Sequence, residues 1–380
     1  MSRTLGAISI IGLLVSGLFG QNAFATTVAV GPSTCKPSLV HFSTIQAAVS
    51  AVPFGTTIDV CPGNYPEQVV ISQPLTLTGV TDGTGNAAVI TVPGGGLLLQ
   101  NGTSTSFGAV AAQLMIENTV GVTINNLTVD GTGASCPGSF VFPNRITGIG
   151  VLNVGSANDG TAAAKIQNVV IRHEQACFGD GILADTSYAT ITGSEIRDIN
   201  QTAIDAYSAK YAITNNSIQH ANAYGVVILN NDSGSVVSGN NVSDGWNGIL
   251  TEGPNPATIT KNTVLSNSYV GVWIFSAYNQ TVTYNVVSNS SWPLVVEFGF
   301  NDTVQNNKIT YASLVDGILD EASFGGNNIT KNTVNEAPFG IFADIGSKNV
   351  DTLVPNTFYN TAITIDPGPP QTPTDPGPTP

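Results

Sequence analysis

From Ile149 onward one short phrase, Gly-Ile/Val-x-apolar, returns at almost constant spacing. Its anchors are Ile149, Ile182, Ile204, Val226, Ile249, Val272, Val295, Ile318 and Ile341, with a first gap of 33 residues and later gaps of 22 or 23. A unit this short cannot bury a core alone, so the units must stack as a solenoid. Stacking also makes residues in equivalent positions of successive units into neighbours.

A second series ends at Val129, Ile171, Ile196, Ile218, Val242, Val264, Val287, Ile309 and Val334. Six successive units place an asparagine two residues earlier: Asn216, Asn240, Asn262, Asn285, Asn307 and Asn332. Asparagine tolerates left-handed turn geometry, and stacked amides can hydrogen-bond to one another, so an internal amide ladder at a turn is expected. The units are rich in β-branched residues, and 41 glycines argue against a helical repeat. The expected fold is all-β, a parallel β-helix of roughly nine to twelve coils. The gap of 33 is read as one coil carrying an insertion, assigned to residues 155–164.

The start of the chain has a different character. Met1 to Arg3, an apolar run to Gly20 and then Ala23-Phe24-Ala25 read as a signal peptide over 1–25, so a secreted, periplasmic or cell-surface location is expected, with no membrane span in the mature chain. The four cysteines, Cys35, Cys61, Cys136 and Cys177, suit two disulfides in an exported chain, Cys35 with Cys61 and Cys136 with Cys177 being the favoured pairing. Residues 43–46 have capping-box spacing, and Ile45, Ala48, Val49 and Val52 mark one face of a short helix that would plug the solenoid's open end. The expected organisation is an N-terminal cap over 26–57, a β-helix over 58–365 and a Pro/Gly/Thr-rich tail over 366–380.

The chain resembles the right-handed parallel β-helix superfamily typified by pectate lyases, over roughly 42–365. Its opening is similar to that of pectin methylesterases: Phe42-Ser-Thr-Ile-Gln-Ala-Ala-Val49, Gly63-Asn-Tyr-Pro-Glu67 and Leu75-Thr-Leu-Thr-Gly79. The Gln-Asp-Thr, Asp-Phe-Ile-Phe-Gly and Gly-Arg-Pro-Trp motifs that carry that family's catalysis are missing, so the resemblance implies the scaffold and not the esterase. Tyr65 and Glu67 are read as structural.

Register then points to a site. Two residues past the second-series anchor, successive coils carry His173, Asp198, His220 and Asp244, and one residue past it stand Arg172 and Arg197. An alternating imidazole and carboxylate row suits general acid/base work, and guanidinium groups suit a sugar carboxylate. Three residues before the first-series anchor come Trp246, Tyr269 and Trp292, expected as a line of sugar-stacking rings. Asp180 and Asp316 are expected to add carboxylates on the same edge. One residue after each anchor, Leu183, Val227, Leu250, Trp273, Val296, Leu319 and Phe342 form an apolar stripe expected to face outward, covered by a fold-back of 352–365 or by self-association.

Other chemistry is excluded. The chain carries 25 acidic against 11 basic residues, a formal net charge of −14, which rules out nucleic acid as a partner. No phosphate loop, Gly-x-Ser-x-Gly elbow or zinc-protease motif occurs, no cofactor or metal is expected, and no motif indicates calcium. Two readings remain: an exported protein that binds a polysaccharide along one edge and cleaves or epimerises it as a lyase, hydrolase or epimerase, with His220 and Asp244 as first acid/base candidates, or a non-catalytic extracellular module.

Overall fold

The computed structural model describes residues 26–81, 88–155, 163–231, 234–312, 316–344, 347, 351–361 and 363–366. Residues 1–25, expected to be a signal peptide, and most of the Pro-rich tail lie outside them. Three long sheets of 13, 12 and 13 strands contain nearly all of the secondary structure. One coil shows the pattern: Ala189–Thr192 lies in the first sheet, Glu195–Ile199 in the second and Thr202–Tyr207 in the third. Each strand pairs in parallel with its equivalent in the coils before and after.

Single residues in left-handed conformation turn the chain at each corner. In that coil they are Gly193 (φ 63°), Asp198 (φ 59°) and Ser208 (φ 51°), and in the next Asn215 (φ 56°), His220 (φ 54°) and Asn230 (φ 47°). Asn, Asp and Gly accept this region at low cost, which explains why they punctuate the apolar stretches.

The inner side of the stack is one continuous apolar core, from Val30 and Ile45 at one end to Ile341 and Leu353 at the other. The asparagine ladder runs along one corner of it. Each buried amide donates through Nδ2 to the next Oδ1, as in Asn240 to Asn262 at 3.0 Å and Asn262 to Asn285 at 3.0 Å, while the same Oδ1 accepts the backbone N–H of the preceding asparagine at 2.9 Å. Asn356 extends the ladder beyond Asn332.

At the N-terminus the helix Ile45–Ala51 packs Ile45, Ala48 and Val49 against the first coil. Its cap differs from the expected box. Thr44 Oγ1 accepts from Ala47 N at 3.1 Å, but the remaining end N–H groups, Ile45 N and Gln46 N, donate to Glu67 Oε1 and Oε2 at 2.8 and 2.9 Å. The Gln46 side chain instead accepts from Val70 N at 2.7 Å. The motif Gly63-Asn-Tyr-Pro-Glu67 is thus structural: Tyr65 donates its hydroxyl to Cys61 O at 2.8 Å, and Glu67 clamps the plug.

Both disulfides, Cys35–Cys61 and Cys136–Cys177, are formed. The gap of 33 is a single coil, since Ile149 pairs directly with Ile182. Its extra residues fall between the strands Arg145–Leu152 and Ala164–Gln167 and at the corner after Glu174; residues 156–162 lie outside the described part.

Three expectations need correction. Val272 pairs with Leu294 and not with Val295, because that coil has 22 residues, one fewer than the coil before it and two fewer than the coil after it. The outward stripe therefore continues through Val295, and Val296 points into the core. Residues 352–365 do not fold back: Thr357–Tyr359 pairs with Thr333–Asn335 and Ile363–Asp366 with Phe339–Ala343, adding a further coil. The stripe is also not exposed. Val227, Leu250, Trp273, Val295, Leu319 and Phe342 pack with Val270 and Trp292 into a second apolar cluster, and none is more than 8% accessible.

Replacing Asn262 by Ala would leave the buried N–H groups of Asn240 without an acceptor. At roughly 1–3 kcal/mol for each unsatisfied group, a loss of about 3 kcal/mol is expected in denaturant unfolding. Glu67→Gln should cost about 1 kcal/mol, because the helix end keeps an acceptor but loses its charge.

Candidate functional site: the edge between the second and third sheets

The corner joining these sheets is built by one left-handed residue per coil. His173, Asp198, His220, Asp244, Ser266, Asn289, Tyr311 and Glu336 all have φ between 54° and 60°. In a continuing strand Arg172 and His173 would point to opposite faces, and the left-handed turn lets both reach solvent.

Asp130 heads the row, and the sequence reading missed it. It lies one position earlier in its coil, in register with Arg172 and Arg197. Its Oδ2 accepts from Arg172 Nε at 2.8 Å, and its Oδ1 meets His173 Nδ1 at 3.0 Å and the Thr132 hydroxyl at 2.6 Å. His173 Nε2 lies 3.7 Å from Asp198 Oδ2, and Asp198 Oδ1 meets His220 Nδ1 at 3.2 Å. Arg197 bridges Glu195 at 2.8 Å and Asp198 at 2.7 Å. Asp130, His173, Asp198 and His220 thus form one chain of contacts across four coils. Asp244 is exposed and next in register, but the His220 ring turns to Asp198, on the opposite side.

Electrostatics fix the carboxylates as anions. Burial opposes the ionisation of Asp130, but contacts from Thr132, His173 and Arg172 outweigh it and bring the group down to about 2. Burial likewise opposes ionisation of Asp198, and Arg197 and His220 reverse the effect, lowering it. Beside His173 a hollow of about 510 Å³ is lined by the loop Gly131, Thr132, Gly133 and Ala134 and by Gln175 and Ala176. The disulfide Cys136–Cys177 ties that loop to the coil of His173.

The aromatic row is shorter than expected and turned differently. Trp246 and Tyr269 stack on each other, with centroids 5.5 Å apart and planes 17° apart. Their faces cover one another, so they make one stacked pair instead of a series of outward platforms. Trp292 is not part of it. It pairs with Val270, one position further along, and sits buried in the apolar cluster of the third sheet.

Asp180 also lies elsewhere. It is fully buried, 3.3 Å from Arg145 Nε, and Thr202 N donates to it at 3.1 Å. The Arg145 guanidinium lies over Phe107 at 4.4 Å and near Phe142 and Phe178. Burial, only partly offset by Arg145, lifts Asp180 to about 7; burial and then Asp180 raise Asp205 as well. Asp316 is likewise buried. Behind the edge, Glu174 is sealed in the core with its value well raised by burial, then by Asp130 and Asp180. Glycines make its niche: a Cβ at Gly131 would come within 2.6 Å of Glu174 Oε2. Among the described residues no group of three or more His, Cys, Asp or Glu is arranged to hold a metal ion, and no helix is long and apolar enough to cross a membrane.

Stacked parallel coils, left-handed corners and an internal amide ladder define a parallel β-helix protein. The family described as "Right handed beta helix region" matches over residues 147–291 and 180–358, more than half of the chain, and the protein belongs to it. Among solved structures, the A-module of mannuronan C-5 epimerase AlgE4 from Azotobacter vinelandii is similar with a TM-score of 0.63 and 15% identity, over 84% of this chain and 92% of that one. The GH136 lacto-N-biosidase from Eubacterium ramulus is similar with a TM-score of 0.57 and 12% identity, over 90% of this chain and 68% of that one. At these identities the likeness establishes the fold. No curated protein matches the chain.

The carboxyl shifts predict a stability profile of two opposing parts. Asp130 has a folded value below its unfolded one, so its contribution is present above about pH 4 and is lost as pH falls toward about 2. Asp180, Asp302 and Glu321, each lifted to about 7 chiefly by burial, are neutral in the fold, so stability falls as pH rises from about 4 to about 7. Thermal unfolding should therefore show its highest Tm near pH 4 to 5, lower at about pH 2.5 and lower again at about pH 8. A Tm that rises steadily from about pH 4 to 8 would contradict the assignment.

Proposed function

We propose that the protein is exported and binds an extended polysaccharide along the edge between the second and third sheets. The observation that carries this reading is the chain Asp130, His173, Asp198 and His220, fixed across four consecutive coils and open to solvent at His173 and His220. It offers a line of donors and acceptors whose repeat is set by the coil spacing, about 4.8 Å. A polymer of hydroxylated rings running along the solenoid axis can meet such a line repeatedly. The glycan-active enzymes among the similar structures support this partner class, and the two disulfides support export.

Charge favours a neutral glycan. Asp130, Asp198 and Glu195 outnumber Arg172 and Arg197, and both guanidinium groups are already engaged by carboxylates. Catalysis is the finer part of the proposal. Asp130 and Asp198 are held as anions by their donors and suit orienting His173 and His220, the acid/base candidates of the row. The same observation favours the second reading, a binding module without turnover.

A glycan array probed with the mature protein tests binding. Retention of a neutral polymer is expected, with Asp198→Ala weakening it roughly tenfold to a hundredfold, the equivalent of about 1.5–3 kcal/mol for a contact to a charged group. Retained polymers are then assayed for new reducing or unsaturated ends and for epimerised residues. Turnover abolished by His220→Ala supports an enzyme, whereas binding without product supports the module. Retention of no glycan at all would refute the proposal.

A further inference from the structure

The first sheet carries a surface of a different kind. Two outward rows run along it, one on each side of the inward-pointing core residue of every strand. The strand Ala257–Thr260 shows Thr258 and Thr260 around Ile259, the next shows Thr281 and Thr283 around Val282, and three coils earlier Thr190 and Thr192 flank Ile191. The rows stay in register from Thr76 to Asn328 and from Thr78 to Thr330. Lys165 is the one charged residue in them, and the remaining positions hold Thr, Ser, Asn, Gln, Ala or Val.

The threonines are also fixed in orientation. Their β-branched side chains are stiff at χ1, and hydroxyls bond from coil to coil, Thr214 to Thr192 at 3.0 Å and Thr260 with Thr283 at 3.2 Å. Each therefore shows a methyl and a hydroxyl in a set direction. The array repeats at about 4.8 Å between coils and, at about 3.3 Å per residue, at roughly 6.6 Å within a strand.

These properties select the partner. An ionic ligand meets a single charge, that of Lys165, and no aromatic ring lies within the rows. An apolar protein surface would strip water from the hydroxyls at a cost of about 1–3 kcal/mol for each one left unpaired. A partner that accepts methyl and hydroxyl groups alternating on a rigid two-dimensional repeat must itself be uncharged, hydrogen-bonding and periodic. Ordered water fits that description: the methyls are enclosed by a cage of water while the hydroxyls anchor it, and the spacings are comparable with oxygen repeats on the prism face of hexagonal ice. We propose that the first-sheet face binds the surface of ice crystals. This face is separate from the edge carrying Asp130 to His220, so neither reading depends on the other.

The test is cryomicroscopy of single ice crystals in the full chain. Faceted crystals that stay the same size through a temperature gap below the melting point are expected, with that gap reduced several-fold in Thr281→Tyr and unchanged in Thr263→Tyr on the second sheet and in Asp198→Ala. Partition of the unmutated chain into a slowly growing ice ball is the second measurement and does not depend on folding of any variant. Ice that grows as rounded discs, as in albumin, together with exclusion of the chain from the ice ball, would overturn the proposal. So would a folded Thr281→Tyr with full activity.

Discussion

Register between coils is the constraint on which everything else in this molecule rests. Parallel hydrogen bonding ties each strand to the equivalent residues of its neighbours, and the ladder from Asn216 to Asn356 repeats that tie inside the core. A buried amide that donates to the next amide oxygen and accepts from the previous coil is satisfied only when both neighbours are in step. The cost of leaving such groups unpaired makes slippage by one residue unfavourable at every coil together.

The edge between the second and third sheets converts this alignment into chemistry. Asp130 and His220 are far apart along the chain, yet one line of contacts joins them through His173 and Asp198. The third sheet does the reverse: Asp180 and Asp205 lie buried with Arg145, where burial drives the carboxyls toward their neutral form. Two groups of acids on one scaffold thus behave oppositely, according to whether donors or desolvation prevail.

The scaffold was legible because its signals are periodic. The anchor spacing located the coils, and the asparagines located an internal ladder. Failures arose where a coil changed length. The coil leading to Trp292 is shorter than both of its neighbours, so counting from Val295 puts that ring in line with Tyr269 when it lies one position along, in the apolar cluster. Asp180, expected on the same edge as the polar row, is buried instead because the loops bringing Phe107 and Phe142 over Arg145 lie outside the repeat and leave no periodic trace. Asp130 was missed because it occupies the arginine row and not the histidine row, although its place beside Arg172 follows from the second-series anchor Val129. The helix cap differs for a similar reason: Thr44 is the capping residue, and Glu67, contributed from further along the chain, accepts the N–H groups of Ile45 and Gln46.

The corner row has a further meaning. Imidazole, carboxylate, hydroxyl, amide and phenol side chains all occupy it, from His173 through Ser266 and Asn289 to Tyr311 and Glu336, with φ varying by only a few degrees. The backbone there is held from both sides by strand pairing and does not depend on which residue fills the position. Such a corner works as a rack of sockets: a coil can exchange its outward-facing group while the shape of the rod stays the same, so new specificities can arise along this line without first solving a new folding problem.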